Sequence, residues 1–320
     1  MLQNLLMNSQ QSKADPVVSI CVQTYQHAAF IGQCLDGILM QITDFPFEII
    51  VGEDDSSDGT REICKSYAEK YPDKIRLFLR SRSDVHYVNG QATGRFNFTQ
   101  NYKAARGKYI AFCEGDDYWT DKNKLQMQVS FLESNPDFSL THTNVNHVDK
   151  DGNVTLHAPL NYKEVMVHEE VAGAITVQLL TIVFRKEVLP YFPPEFYKVF
   201  NADFFLSALL SEKGKVRFFN VVTGCYRKHE GGIFSGVRMK AKQINRLGTL
   251  LTMLDFFSSS KVKSTLKTAI SKSYARVLYG CLREHDYRSF CQYFIRSLSF
   301  DVRNLRFTFP RLILYSIKRS

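Results

Sequence analysis

No C-x-x-C pair occurs in this chain of 320 residues, and its seven cysteines are an odd number. That excludes a zinc ribbon, a thioredoxin-like redox pair and a fully paired disulfide framework. Several cysteines stand in apolar runs, Cys21 in SICV and Cys113 in AFCE, so buried free thiols of a reducing compartment are expected. Long hydrophobic runs are missing too. The longest nearly apolar stretch, residues 171–184, is about 14 residues and contains Thr176, Gln178 and Thr181, whereas a membrane span needs roughly 18 or more. The first basic residue is Lys13 and the early apolar LLM is short, which makes no secretory signal. Neither an internal repeat nor a low-complexity segment is found. These absences predict a cytoplasmic protein, soluble or peripheral on the inner face of a membrane.

Charge is unevenly spread. From residue 236 onward there are 17 Lys and Arg against 4 Asp and Glu, a balance of +13, while the first 235 residues carry −4. An acidic catalytic part followed by a basic part that faces a negative partner fits this asymmetry.

Along the first half, strand-like and helix-like segments alternate. Residues 17–22 form an uncharged β-rich run, as a strand covered on both faces requires. Phe30, Ile31, Leu35, Ile38 and Leu39 recur at helical spacing. Further strands are predicted over 47–51, 75–79 and 108–113, and helices over 60–71 and 120–133. Such alternation implies an α/β fold with a mostly parallel, doubly wound sheet, whose ligands bind beyond the C-terminal strand ends. From about 138 the pattern becomes a hairpin with an Asp-Gly turn (138–148 and 153–157), a strand over 177–184, a helix over 203–211 and a strand over 216–222. Beyond 235 the chain reads as helical to about 298.

Two acidic clusters lie at predicted strand ends. Glu53-Asp54-Asp55-Ser56-Ser57-Asp58 places four carboxylates in six residues. A solvated loop with Asp58 capping the next helix would explain them; their mutual repulsion would otherwise need a cation or a donor-rich ligand. Glu114-Gly115-Asp116-Asp117 follows a run that should be buried. Glu114 and Asp116, at alternate positions, can point together at one oxygen-liganded Mg²⁺ or Mn²⁺ that also takes substrate phosphates. Triplets of this kind are frequent by chance, and the position after a strand is what raises this one.

The segments VSICVQTYQHAAFIGQCLDGI, EIIVGEDDSSDGT and GKYIAFCEGDDYWTDKNKLQMQVSFLE resemble, in order and spacing, successive signatures of family 2 glycosyltransferases, which have the GT-A fold. The resemblance covers roughly residues 17–235. It implies a GT-A domain over 16–235, between a flexible N-terminus (1–15) and a basic, mainly helical C-terminal region (236–320). It places Thr24 and Tyr25 beside a nucleotide, gives Glu53 and Asp54 the nucleoside, and assigns Asp116 to the metal. Glu114 would contact the ribose or a metal-bound water, and Asp117 the acceptor or the groups behind the metal. Asp203, in FNADFF, falls where the family has its catalytic base; a helix cap is the plain alternative. Tyr226-Arg227-Lys228-His229-Glu230-Gly231-Gly232 resembles a segment in which the histidine completes the metal site and the cations, here Arg227 and Lys228, face the diphosphate. Arg80 and Arg82 read as solvated surface residues, with phosphate contact as the alternative. Trp119 reads as core before acceptor wall.

The activity implied by this resemblance is a metal-dependent, inverting transfer of a sugar from a nucleotide diphosphate to an acceptor hydroxyl, in cell-surface polysaccharide or lipopolysaccharide synthesis. The default donor is a uridine diphosphate sugar; the acceptor is a saccharide or lipid-linked saccharide. A non-catalytic sugar-nucleotide-binding protein would lack the base or the metal residue. A nucleotidyltransferase would show a Gly-rich basic loop where this chain has QTYQHAAF. A nucleic-acid partner is not expected beside so acidic a catalytic half. The basic C-terminal region, with aromatic and aliphatic residues among its cations as in residues 293–296 and 307–315, suits an anionic membrane surface. Leu247, Leu250, Leu251 and Leu254 equally make a stripe that would pack it on the catalytic part.

Overall fold

The structure is a computed structural model and describes residues 15–175, 177–232 and 237–301. The expectations for residues 1–14 and for 302–320, including the run 307–315, lie outside the described residues. β1 (Val18–Thr24), α1 (Ile31–Leu39), β2 (Phe47–Glu53), α2 (Thr60–Lys70) and β3 (Ile75–Leu79) follow the predicted alternation. β4 (His86–Val88) and β5 (Gln91–Thr93) pair with each other as a small separate sheet. Then come α3 (Arg95–Ala104), β6 (Tyr109–Phe112), β7 (Tyr118–Trp119), α4 (Lys124–Ser134), β8 (Phe138–Val148), β9 (Val154–Leu156) and β10 (Val165–Met166). α5 (His168–Ala174), β11 (Val183–Arg185), α6 (Ala202–Ser211) and β12 (Lys215–Arg227) complete the sheet region. Three helices come after it: α7 (Met239–Phe256), α8 (Ser260–Arg283) and α9 (Tyr287–Phe300).

The main sheet runs β10-β12-β8-β11-β6-β1-β2-β3, with β7 on β12 and β9 on β8. β3, β2, β1 and β6 are parallel neighbours, as are β8 and β12, and β11 joins the two groups antiparallel to both. The sheet is thus mostly parallel, and β1, β2 and β6 all end toward one edge.

Three elements depart from the sequence reading. The helix expected over 120–133 begins only at Lys124, because Tyr118 and Trp119 pair with Cys225 and Gly224. The strand expected over 177–184 is reduced to β11, since side chains take its backbone carbonyls: Trp119 Nε1 donates to Leu180 O at 2.8 Å and Gln128 to Thr181 O at 2.9 Å. α3 has no counterpart in the sequence pattern. Its sheet face is polar, with Asn97 donating to Gly52 O and Asn101 to Val22 O, so apolar periodicity is missing.

One hydrophobic cluster crosses the boundary expected near 235. It runs from Phe112 and Phe184 through Phe204 and Phe205 to Leu250, Met253, Phe257, Leu266 and Ile270. α5 and α8 approach closely, for a Cβ on Gly173 would lie 2.1 Å from Thr265 Cγ2. Leu247 and Leu250 are buried and Leu251 and Leu254 pack against the same core, so the leucine stripe covers the sheet region. A shared core should unfold as a unit. Leu266→Ala, at a fully buried position, is expected to destabilise the protein by about 2–5 kcal/mol while thermal unfolding followed by circular dichroism keeps a single transition. A separate, earlier transition for the helices would contradict the shared core.

Candidate functional site

The site forms where β1, β2 and β6 end. After Thr24 the chain turns sharply: Gln26 takes a positive φ of 56°, and Asp55, in the loop after β2, one of 64°. Such backbone in non-glycine residues is retained when surrounding bonds over-determine it. Here the two loops are stitched together. The Gln26 amide donates to Ser56 Oγ at 2.9 Å, the Ser57 amide donates to Gln26 Oε1 at 3.0 Å, and the His27 amide donates to Thr60 Oγ1 at 2.8 Å. The N-cap of α2 is Gly59, with no side-chain cap, so Asp58 does not take the capping position that the sequence suggested. One residue earlier, its carboxylate accepts from the Thr60 amide and from the Ala28 amide, both at 3.0 Å, and holds the first loop.

Glu53 is fully buried, and its two oxygens are engaged by the Ser56 amide at 2.7 Å and by Arg61. Asp54, also buried, pairs with Arg82 Nη1 at 2.7 Å, and the Arg82 guanidinium lies 4.0 Å from the centre of the half-exposed Tyr25 ring. Burial pushes the Asp54 carboxyl above the usual aspartate range, with Arg82 opposing. Arg82 is therefore part of the site rather than solvated surface. Arg80 bonds to Asn97 Oδ1 and Asn101 Oδ1 at 2.9 and 2.7 Å and supports α3.

The second acidic cluster is held against the first loop by a close approach. The Gly115 amide donates to Gln23 O at 3.0 Å, and a Cβ at Gly115 would sit 2.6 Å from Thr24 Oγ1 and 3.0 Å from His27 Nδ1. Only glycine fits there without displacing both. Asp117 is buried and accepts the Arg227 amide at 2.8 Å, tying the cluster to β12. Arg227 donates through Nε to Asp116 O and through Nη1 to Lys150 O, both at 3.0 Å, reaches Gln33, and lies between Phe30 and Tyr118. Lys228 is exposed, its amide bonded to Val148 O. Trp119 is buried, as the core reading expected.

Asp116 is the centre of a three-residue group. His229 Nε2 lies 3.0 Å from Asp116 Oδ2 and His27 Nε2 lies 3.8 Å from the same oxygen, and one ligand atom from each residue falls within 4.8 Å of the others. Thr24 Oγ1 sits 3.3 Å from His27 Nδ1. A proton on Nδ1 shared with that hydroxyl leaves the Nε2 lone pair free toward Asp116. Burial favours neutral His27, lowering its pKa. Burial also acts to raise Asp116, but the hydrogen bond to His229 holds it below the usual range. Two imidazole nitrogens and one ionised carboxylate could hold a divalent transition metal. They suit Mg²⁺ poorly, because Mg²⁺ asks for oxygen ligands.

Glu114 is pushed up to about 8, by burial first and then by Asp116. Burial raises the Tyr226 hydroxyl, and the charges of Asp117, Asp116, Glu114 and Asp203 raise it further. Asp203 lies in the first turn of α6, half-buried, its carboxyl raised by burial and opposed by the Phe204 amide, Arg246 and Arg95. Arg95 fixes the approach to α6 by donating to Phe196 O and Val199 O. Sequence reasoning missed His27, although a histidine three residues beyond Thr24 in a turn was visible, and it missed Gln33, which carried no signal; Tyr226 was named in its segment without a role.

The model of the family described as Glycosyl transferase family 2 matches residues 19–186, about half of the chain. An Escherichia coli relative, the UDP-Glc:alpha-D-GlcNAc-diphosphoundecaprenol beta-1,3-glucosyltransferase WfaP, is 28% identical over 239 residues, spanning 73% of this chain and 85% of its own. Among solved structures, residues 1–349 of Staphylococcus aureus TarS with UDP-GlcNAc align at a TM-score of 0.56 and 16% identity, over 81% of this chain and 72% of that one. A mannosyltransferase of Pyrobaculum calidifontis with GDP-Man and Mn²⁺ aligns at 0.54 and 18%, over 91% and 87%. These two likenesses concern the fold, the GT-A fold of the sequence expectation.

His27→Ala removes one of the three candidate ligands without touching the core. Mn²⁺ binding, read by titration calorimetry, is expected to weaken at least about tenfold, the lower end for loss of a metal-site group, with the metal-free melting temperature nearly unchanged. Unaltered Mn²⁺ affinity would leave His27 as a partner of Thr24 only.

Proposed function

From the premise that the chain belongs to glycosyl transferase family 2 and is a glycosyltransferase, we propose that it is a Mn²⁺-dependent, inverting enzyme acting on a nucleotide-diphosphate sugar. The observation that carries this reading is the convergence of His27, Asp116 and His229 at the strand ends. The fold neighbours with bound UDP-GlcNAc and with GDP-Man and Mn²⁺ support the ligand class. A uridine diphosphate sugar is the donor favoured. The acceptor is a saccharide, and the WfaP likeness supports one carried on a lipid diphosphate, in surface polysaccharide or lipopolysaccharide assembly.

In this mechanism Asp54 accepts a hydrogen bond from the base, and Tyr25 offers a ring face to it once the Arg82 guanidinium moves aside. Thr24 and Glu53 border the ribose. Glu53 works through Arg61 and Ser56 in shaping that loop. A divalent ion at Asp116, His27 and His229 would neutralise charge building on the leaving diphosphate. Glu114, protonated for much of its time near neutrality, donates toward the ribose or a bound water without adding charge. Asp117 and Arg227 hold the Asp116 backbone in place, and exposed Lys228 is free to reach the diphosphate.

Asp203 takes the proton from the acceptor hydroxyl as that oxygen attacks the anomeric carbon and the diphosphate leaves from the opposite face. One base and no enzyme nucleophile make this a single displacement, hence inversion. The charge balance of the C-terminal region and the lipid-linked acceptor support docking on the anionic inner face of a membrane. No helix among the described residues is long and apolar enough to cross one.

Asp203→Asn keeps the shape and removes the proton acceptor. Transfer is expected to fall by about 10²-fold or more, with nucleotide affinity unchanged. Because burial raises this carboxyl, the base is gained only above the ordinary aspartate range, and kcat should rise with pH across an acidic limb displaced upward. A loss confined to donor affinity would make Asp203 a binding group.

A further inference from the structure

α9 has two unlike faces. On the inner one, Phe290, Tyr293 and Phe300 pack against the core shared with the sheet region, and Ser297 is buried. The outer face is exposed. Tyr287, Cys291 and Ile295, spaced four apart, make one row along it, with Tyr287 and Ile295 57% and 64% exposed. Arg288, Gln292 and Arg296, all exposed, make the adjacent row. Half-buried Phe294 and Leu298 border the apolar row on its other side. A single exposed Tyr or Ile needs no explanation. Here they line up over two turns beside arginines, as on a helix that lies at a membrane interface.

Charge points the same way. The two acids in the turn before α9 are already engaged: Lys240 Nζ pairs with Glu284 at 3.1 Å and with Asp286 at 2.9 Å. Neither is left to neutralise Arg288, and α9 itself contains no Asp or Glu. From Tyr287 to the end the chain has seven Lys and Arg against Asp301 alone. Residues 302–320 follow α9 directly, carry five of those cations, and include the apolar run Leu312-Ile313-Leu314-Tyr315. A second copy presenting the same arginines would repel this face, whereas a layer of anionic headgroups over an apolar interior answers both rows.

We propose that the outer face of α9, continued by residues 302–320, is the surface on which the protein docks on a membrane of anionic phospholipid. Arg288 and Arg296 meet headgroup phosphates, and Tyr287 and Ile295 reach the boundary with the acyl chains. This rests on the reading that the protein docks on the anionic inner face of a membrane, and it assigns that docking to one helix face.

Cys291 supplies the probe, since it is exposed and the other six cysteines are buried. The full chain, labelled there with a nitrobenzoxadiazole fluorophore, is titrated with phosphatidylglycerol–phosphatidylcholine vesicles and with phosphatidylcholine vesicles. Co-sedimentation of the unlabelled chain is measured alongside. Expected are co-sedimentation with the anionic vesicles only, a blue-shifted and stronger emission on binding, and loss of both as salt rises. The double variant Arg288→Gln, Arg296→Gln should partition at least about tenfold more weakly, because one cation near an anionic surface is worth about fivefold. Its melting temperature and Mn²⁺-dependent UDP binding should be unchanged. Co-sedimentation with no change of emission, or undiminished in the double variant, overturns the assignment to α9 and leaves membrane docking standing. An emission shift that needs no vesicles and grows with protein concentration identifies a second copy as the occupant and overturns it too. No co-sedimentation of the wild type overturns the assignment and the docking reading together.

Discussion

Repulsion among buried carboxylates is the constraint on which this structure is arranged. Glu53, Asp54, Glu114, Asp116 and Asp117 all lie at the ends of β2 and β6, each buried or half-buried. Two unit charges about 4 Å apart repel by about 4 kcal/mol at an effective dielectric constant near 20, so such a cluster persists only with compensation. Arg61 answers Glu53, Arg82 answers Asp54, and the Arg227 amide answers Asp117. Glu114 answers the problem by holding a proton. Asp116 remains ionised between two imidazoles, and a cation there would complete the compensation. Every basic group recruited to the cluster also fixes a loop, so the electrostatics and the shape of the site have one cause.

The parallel half of the fold was legible because its strands are apolar and uncharged and its helices carry a clean stripe. β1, α1, β2, α2, β3 and β6 lie where apolar periodicity puts them. What failed did so where polar groups perform structural work inside. α3 presents Asn97 and Asn101 to the sheet, bonding to strand carbonyls at Gly52 and Val22, and a helix with a polar inner face leaves no period to count. The shortening of β11 depends on Trp119 and Gln128, more than 50 residues away, which no local pattern reveals.

At the site, the acidic motifs and His229 were legible through resemblance and spacing. His27 and Arg82 were not, for a related reason. Their meaning comes from a turn whose residue Gln26 adopts positive φ and from a cation meeting an acid 28 residues away. Arg227 illustrates the opposite case. Read as a phosphate ligand by analogy, it spends its donors on Asp116 O, Lys150 O and Gln33. The C-terminal helices, in turn, are not a free basic appendage. They share one core with α6, and Arg246 of α7 lies over the Phe204 ring.

The proposed mechanism stands or falls on whether His27, Asp116 and His229 together hold the ion on which the donor diphosphate is clamped. The most direct test is an anomalous-scattering map of crystals grown with Mn²⁺ and UDP, collected at the manganese edge. One strong peak bonded to all three side chains and to the diphosphate is predicted. Bound UDP with no peak among these residues, or a peak that leaves both histidines uncoordinated, would contradict it.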